Sequence, residues 1–210
     1  MKLKENNVIV FFGDSVTDTC HNVNHEKYPY GSGYVMMVDS HINTNYPQLN
    51  IQMINQGING HRTKDLLARV DQDVNRFHPD FVFILIGVND AWRRYDFNDP
   101  TSVEQFVCNY KGFLDSIKQA NPQAQIVLMT PYILPSLDWV MQLKEDLDEK
   151  VEAILNLAKE YNLPLIPLHE IIPHYADLLT PKTVSGDGIH PSLVGHSIIA
   201  TQVVNYLLSE

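Results

Sequence analysis

Hydrophobic and polar positions follow two different periods along the chain. Short apolar runs predict strands, and a continuous run predicts a strand covered on both faces. Between the runs, apolar residues recur three or four positions apart, which is the spacing of an amphipathic helix. The predicted strands are Val8–Phe12, Asn50–Asn55, Phe81–Ile86, Gln125–Met129 and Leu163–Leu168. The last strand contains two prolines and is therefore expected at an edge of the sheet.

The predicted helices lie between these strands and after the last of them. Their apolar stripes are Tyr34, Val35, Val38 and Ile42; Leu66, Leu67, Val70, Val74 and Phe77; Phe106, Tyr110, Phe113 and Ile117; Leu143, Leu147, Val151, Ile154 and Ala158; and Ile198, Ile199, Val203 and Leu207. Thr63 and Asp138 can cap the second and fourth helices, Pro79 should end the second, and Ser102 with Gln105 forms a capping-box pattern. Residues 169–185 are expected to be irregular.

Strands that alternate with helices predict an α/β fold with a parallel sheet and right-handed crossovers. The chain has 210 residues, of which 44% are hydrophobic and 19% charged. It is therefore expected to form one domain over residues 1–210, because no repeat or linker divides it.

Charge and composition narrow the function classes. The net charge of −10 argues against nucleic acid and anionic membranes as partners. Cys20 and Cys108 suggest neither a disulfide framework nor a metal site. No apolar run approaches the length of a membrane span, and no signal peptide is visible. We expect a cytoplasmic protein, unless a secretion signal was removed.

Polar residues accompany a glycine at three predicted strand ends. The stretches are Gly13-Asp14-Ser15, Asn55-x-Gly57 and Gly87-x-Asn89-Asp90. Neighbouring parallel strands bring their carboxyl ends to one edge of the sheet, where α/β proteins bind ligands. A serine at such a position is either a turn or capping residue, the more common case, or a nucleophile.

A nucleophilic serine needs a base and donors for the oxyanion. His190 follows Asp187 by three residues, and a tight turn would direct the carboxylate to Nδ1 and leave Nε2 for Ser15. The backbone N–H groups of Ser15 and Gly57 and the amide of Asn89 are candidate oxyanion donors. Each feature has a structural alternative: an Asp-Gly turn with a surface histidine, a turn glycine, and a capping asparagine.

Taken together, these blocks resemble the SGNH (GDSL-type) hydrolases, in the order of that family and over almost the whole chain. The resemblance implies a flavodoxin-like three-layer α/β/α sandwich and serine ester hydrolysis. It assigns Ser15 as nucleophile, His190 as base and Asp187 as the residue that orients the base. It assigns the oxyanion hole to Ser15, Gly57 and Asn89, and it implies neither a metal nor an organic cofactor.

A finer resemblance is to the intracellular acetylxylan esterases of this superfamily. The stretches that carry it are Gly13–Asp18, Tyr28–Gly31, Asn89-Asp90-x-Trp92-Arg93, Met129–Pro131 and His190-Pro191-x-x-x-Gly195-His196. It implies an acetylated xylo-oligosaccharide or xyloside as substrate. Tyr30 and Trp92 could stack on sugar rings and Arg93 could contact hydroxyls, whereas packing of Trp92 and ion pairing of Arg93 are the alternatives. Val16 stands where the family motif has leucine, which leaves the subfamily open.

Three rival interpretations remain. A lysophospholipase or thioesterase would use the same chemistry on longer acyl chains. A flavodoxin-like binding module would use Ser15-x-Thr17-x-Thr19 as a phosphate loop, but Asp14 and Asp18 would repel a phosphate. An inactive scaffold would leave the filled catalytic positions without a role. The sequence does not decide whether the protein forms a homo-oligomer.

Overall fold

The computed structural model describes residues 1–21 and 29–209. Within them, five strands form one parallel sheet in the order β2-β1-β3-β4-β5. The strands are β1 (Val8–Gly13), β2 (Gln52–Gly57), β3 (Phe81–Leu85), β4 (Gln125–Met129) and β5 (Leu165–Ile166). All five predicted strands are present, and β5 lies at an edge as predicted. It is only two residues long because the flanking prolines, Pro164 and Pro167, cannot donate to the ladder.

Helices join the strands and cover both faces of the sheet. They are α1 (Ser15–Asp18), α2 (Tyr34–Asn45), α3 (Thr63–Asp73), α4 (Val88–Asp96), α5 (Val103–Ala120), α6 (Lys144–Glu160), α7 (Leu168–Leu178), α8 (Pro181–Val184) and α9 (Leu193–Leu208). Short 3₁₀ turns occupy Pro47–Leu49, Asn75–Phe77 and Asp138–Leu143. No helix in the described part of the chain is long and apolar enough to cross a membrane.

Alternate residues of β1 point into two separate cores. Ile9 and Phe11 pack with α2, α7 and α9, whereas Val10 and Phe12 pack with α3, α5 and α6. β3 is buried along its whole length, as expected of a strand covered on both faces. The result is the flavodoxin-like three-layer α/β/α sandwich that the resemblance implied.

The strand order places a switch point between β1 and β3. From β1 the chain first moves to β2 on one side, and it later continues through β3 to β4 and β5 on the other. Ligands bind at the carboxyl ends of strands at such a point. Ser15 follows β1 directly and Asn89 follows β3, so the fold brings these two predicted site residues to the switch point.

Three predictions of helix caps and ends differ from the structure, those for Thr63, Asp138 and Pro79. Thr63 does not cap α3 but is its first residue, and its hydroxyl donates to Asp90 Oδ1 at 2.7 Å. Asp138 begins a 3₁₀ turn and not α6, whereas Ser102 caps α5 as predicted. α3 ends at Asp73, before the predicted stop at Pro79.

The segment predicted to be irregular, residues 169–185, is largely helical. It contains most of α7 and all of α8. Pro173 lies within α7, and a proline in a helix interior is an unfavourable helix signal, which concealed the helix. Residues 22–28, which include Tyr28 of the Tyr28–Gly31 stretch, lie outside the described residues.

Candidate active site

A tight strand-to-helix turn positions Ser15. β1 ends at Gly13, where a Cβ atom would lie 2.5 Å from the carbonyl oxygen of Leu85, so no side chain fits. Asp14 then caps α1 by accepting a hydrogen bond from the backbone N–H of Val16 at 3.0 Å. Ser15 is the first residue of α1, two residues after β1 ends.

A continuous chain of hydrogen bonds joins Ser15, His190 and Asp187. Ser15 Oγ lies 2.9 Å from His190 Nε2, and His190 Nδ1 lies 2.7 Å from Asp187 Oδ2. An ionised carboxylate only accepts hydrogen bonds, so Nδ1 carries the proton and Nε2 accepts from the serine hydroxyl. This is the arrangement in which an imidazole can remove a proton from a serine.

The turn before His190 holds Asp187 in its ionised form. Asp187 Oδ1 accepts hydrogen bonds from the backbone N–H groups of Ile189 (2.9 Å) and His190 (2.8 Å). Burial by itself would raise the pKa of Asp187, but these bonds and the one from the His190 ring hold the pKa below its ordinary value. The hydrogen bond with Asp187 in turn raises the pKa of His190, and burial opposes that rise.

Asn89 reaches the same region from the first turn of α4. Its Nδ2 donates to the carbonyl oxygen of His61 at 3.1 Å, and its Oδ1 accepts from Arg93 Nη2 at 3.0 Å. Asn89 is buried, with 2% of its surface exposed. One hydrogen of the amide remains for a substrate atom, because Nδ2 carries two.

Gly57 has a structural role that the sequence did not reveal. Its N–H donates to Asn55 Oδ1 at 2.8 Å, so the predicted oxyanion donor is already engaged. A Cβ atom at this position would lie 2.1 Å from the backbone nitrogen of Asp18. Glycine is therefore required because β2 approaches the backbone of α1 closely, and the assignment of Gly57 to the oxyanion hole does not fit this geometry.

Gly60, three residues after Gly57, is the alternative glycine for the oxyanion hole. Its φ of +79° lies in the left-handed region that favours glycine. The position of its missing Cβ is 3.7 Å from Arg93 Nη2, the atom that holds Asn89. In the described part of the chain, no acceptor is bonded to the N–H of Gly60 or to that of Ser15. The signal was in the sequence, since Gly60 closes the Asn55-x-Gly57-x-x-Gly60 stretch.

The three residues predicted to contact the substrate, Tyr30, Trp92 and Arg93, have different surroundings in the structure. The Trp92 ring lies 6.5 Å from the His190 ring, beside the catalytic candidates. Tyr30 lines a cavity whose lining includes none of Ser15, Asp187 and His190. Arg93 is occupied by bonds within α4, as the ion-pairing alternative predicted.

Trp139 is a neighbour that the sequence did not indicate. Its ring centroid lies 5.1 Å from that of Trp92, and 38% of the residue is exposed. The signal in the sequence is the tryptophan itself, which directly follows Asp138, the predicted helix cap. Together the two rings form an aromatic surface next to His190.

Asp14 adds a buried carboxyl group beside these residues. Only 1% of it is exposed, and burial raises its pKa to about 7, although the Val16 N–H and the charge of His190 oppose the rise. In the described residues, His, Cys, Asp and Glu side chains form no cluster of three or more that could hold a metal ion.

Comparison with known proteins finds similarity to ester hydrolases over most of the chain. Residues 11–198 match the GDSL-like lipase/acylhydrolase family. The chain is 31% identical to an acetylxylan esterase of Geobacillus stearothermophilus over 206 residues, which cover 95% of this chain and 93% of that protein. It is 27% identical to the thioesterase 1/protease 1/lysophospholipase L1 of Escherichia coli strain K12, over 76% of this chain and 69% of that one.

The solved structures agree with this relationship. A catalytic mutant of Axe2, an acetylxylan esterase from Geobacillus stearothermophilus, superposes with a TM-score of 0.89 and 27% identity, covering 100% of this chain and 98% of that one. Structures of Axe2 in which an aspartate, a serine or a histidine is replaced by alanine are all described as catalytic mutants.

Proposed function

Because the chain belongs to the GDSL-like lipase/acylhydrolase family and is a carboxylic ester hydrolase, we propose that it removes acetyl groups from short xylan-derived saccharides. The observation that carries the proposal is the hydrogen-bonded chain from Ser15 Oγ through His190 to Asp187. In this proposal Ser15 is the nucleophile, His190 the general base and Asp187 the group that orients the imidazole.

The reaction proceeds in two acyl-transfer steps. Ser15 Oγ attacks the ester carbonyl carbon as His190 Nε2 takes its proton. His190 then gives this proton to the ester oxygen as the bond from that oxygen to the acyl carbon breaks, and the sugar leaves as an alcohol. Water next attacks the acyl-enzyme with His190 again as base, which releases acetate and the free serine. Asp187 remains ionised throughout and stabilises the imidazolium.

The oxyanion is held by three donors in this proposal. They are the N–H groups of Ser15 and Gly60 and the Nδ2 of Asn89, with Gly60 in place of Gly57. Support comes from the two N–H groups without an acceptor in the described residues and from the second hydrogen of the Asn89 amide. Loss of one such donor typically lowers kcat by about a hundredfold to a thousandfold.

A small cavity near Ser15 favours a short acyl group. It has a volume of about 10 Å³ and is lined by Asp14, Val16, Leu85, Val88, Pro131, Tyr132 and Ile189. This volume is close to the minimum that holds one water molecule, which supports an acyl group of about methyl size. The similarity to an acetylxylan esterase supports the same preference.

The aromatic surface of Trp92 and Trp139 supports a sugar as the alcohol part of the ester. Sugar rings present C–H groups that pack on aromatic faces, and the polar edge of tryptophan is suited to a wet site. The cytoplasm is the compartment we propose, since Cys20 and Cys108 are both free and exposed, as is common where thiols stay reduced.

The nucleophile is tested by Ser15→Ala assayed on p-nitrophenyl acetate. Hydrolysis should fall to background, and Ser197→Ala, an exposed serine on α9, is the matched control. Wild-type activity in Ser15→Ala would exclude Ser15 as nucleophile.

The acyl group is tested with p-nitrophenyl acetate, hexanoate and octanoate. We expect kcat/KM to fall as the chain lengthens, and the reverse order would favour the lysophospholipase or thioesterase alternative. For the sugar, Trp139→Ala should raise KM for an acetylated xylo-oligosaccharide and leave KM for p-nitrophenyl acetate unchanged.

A further inference from the structure

Arg93 is bonded to the side chain of Asn89 from within the same helix. Its Nη2 donates to Asn89 Oδ1 at 3.0 Å, one helical turn away. Its Nη1 pairs with Asp96, and 19% of the side chain is exposed. Both terminal nitrogens of the guanidinium are therefore bonded to protein side chains.

Two aromatic rings lie within cation–π distance of this guanidinium. The Arg93 Cζ lies 5.4 Å from the centroid of the Trp92 ring and 5.1 Å from that of Phe97. Cation–π contact and the ion pair with Asp96 restrict the rotamers of a side chain that would otherwise be flexible. These contacts favour the conformation in which Arg93 reaches Asn89.

This support determines which way the Asn89 amide points. A guanidinium only donates hydrogen bonds, so the atom facing Arg93 must be Oδ1. The carbonyl oxygen of His61 only accepts, so the atom facing it must be Nδ2. The two partners together allow one orientation of the amide, with Nδ2 available to a substrate oxygen.

We propose that Arg93 is a positioning residue that holds the amide of Asn89 with Nδ2 directed at the oxyanion. The inference rests on the proposed role of Asn89 in ester hydrolysis, and it replaces the predicted contact of Arg93 with sugar hydroxyls. The same Nη2 atom lies 3.7 Å from the position that a Cβ of Gly60 would occupy, so the guanidinium also lies close to the segment that follows β2.

The test compares Arg93→Ala and Arg93→Lys with Arg94→Ala, the neighbouring arginine of α4, which pairs with Asp146. Arg93→Ala should lower kcat by about tenfold to a hundredfold, the usual effect of a misplaced catalytic group. The loss should be equal on p-nitrophenyl acetate and on an acetylated xylo-oligosaccharide, with KM little changed. Arg93→Lys, which keeps a donor and the charge, should recover part of kcat, and Arg94→Ala should retain wild-type kcat.

A double-mutant cycle with Asn89→Ala separates positioning from a general effect on the fold. Once Asn89 is alanine, adding Arg93→Ala should cost almost nothing further in kcat. An undiminished loss in that background would overturn the inference, as would wild-type kcat in Arg93→Ala or a loss confined to KM for the saccharide. These results differ from failure of the proposed function, which would appear as full activity in Ser15→Ala.

Discussion

Replacing Asp14 with asparagine should make the protein more stable above neutral pH. Asp14 is 1% exposed and caps α1 through one oxygen, a bond that the Oδ1 of asparagine can also accept. Burial raises the pKa of Asp14 from 3.8 to about 7, even though the Val16 N–H and the charge of His190 lower it. The substitution therefore removes an ionisation that the fold disfavours and preserves the cap.

The direction and size of the effect follow from the two pKa values. Between pH 4 and pH 7 the folded state keeps a proton that the unfolded chain has released, so the free energy of unfolding falls as pH rises. The contribution is fully present below pH 3.8 and is lost through about pH 7. A shift of about three units at 1.36 kcal/mol per unit gives about 4 kcal/mol.

Urea unfolding of the wild type and Asp14→Asn at pH 4 and pH 8 measures this difference. The variant should gain about 4 kcal/mol relative to the wild type between the two values. Asp177→Asn, at an exposed position on α7, controls for the loss of one negative charge. If the difference in the free energy of unfolding between the wild type and Asp14→Asn is the same at both pH values, the pKa of Asp14 is not raised in the folded state.

Three further substitutions test other parts of the structure. Asp187→Asn should lower kcat on p-nitrophenyl acetate by about 10⁴-fold. It should also move the acid limb of the pH–kcat profile to lower pH, because the His190 imidazole loses the partner that raises its pKa. An acid limb at the wild-type pH would contradict this. Gly57→Ala should lower the free energy of unfolding by about 1–3 kcal/mol or more, since a Cβ would lie 2.1 Å from the Asp18 nitrogen; a wild-type Tm would show that the close approach is not rigid. Thr63→Val should cost about 1–3 kcal/mol in urea unfolding, because the buried carboxylate of Asp90 loses a hydroxyl donor; no loss would mean that water replaces it.

The core of the fold was predictable because its signals are local. The stripe of Phe106, Tyr110, Phe113 and Ile117 repeats at helical spacing, and these four side chains are all buried in α5. The apolar run Phe81–Leu85 likewise forms a fully buried strand. Such patterns arise because buried positions must be apolar, so they can be recognised without knowing which helices or strands pack against them.

Predictions for single polar residues were less dependable. A threonine before an apolar stripe is a common cap, but Thr63 bonds to Asp90, 27 residues away. Gly57 and Gly60 look equivalent in sequence, and only packing against α1 and Arg93 distinguishes them. For Arg93 the sequence left both a sugar contact and an ion pair open, and the structure shows the ion pair with Asp96 and two neighbouring rings.

The sequence by itself determined the alternation of strands and helices, the parallel sheet and the set of residues that reach one sheet edge. These depend on hydrophobic period and on the fixed geometry of parallel strands. Only the tertiary structure decided which N–H groups lack an acceptor, which glycine permits close approach and which way the Asn89 amide points. These properties also depend on contacts between distant segments, such as Gly57 with Asp18 and Asn89 with His61, which form only after β1, β2 and β3 have paired.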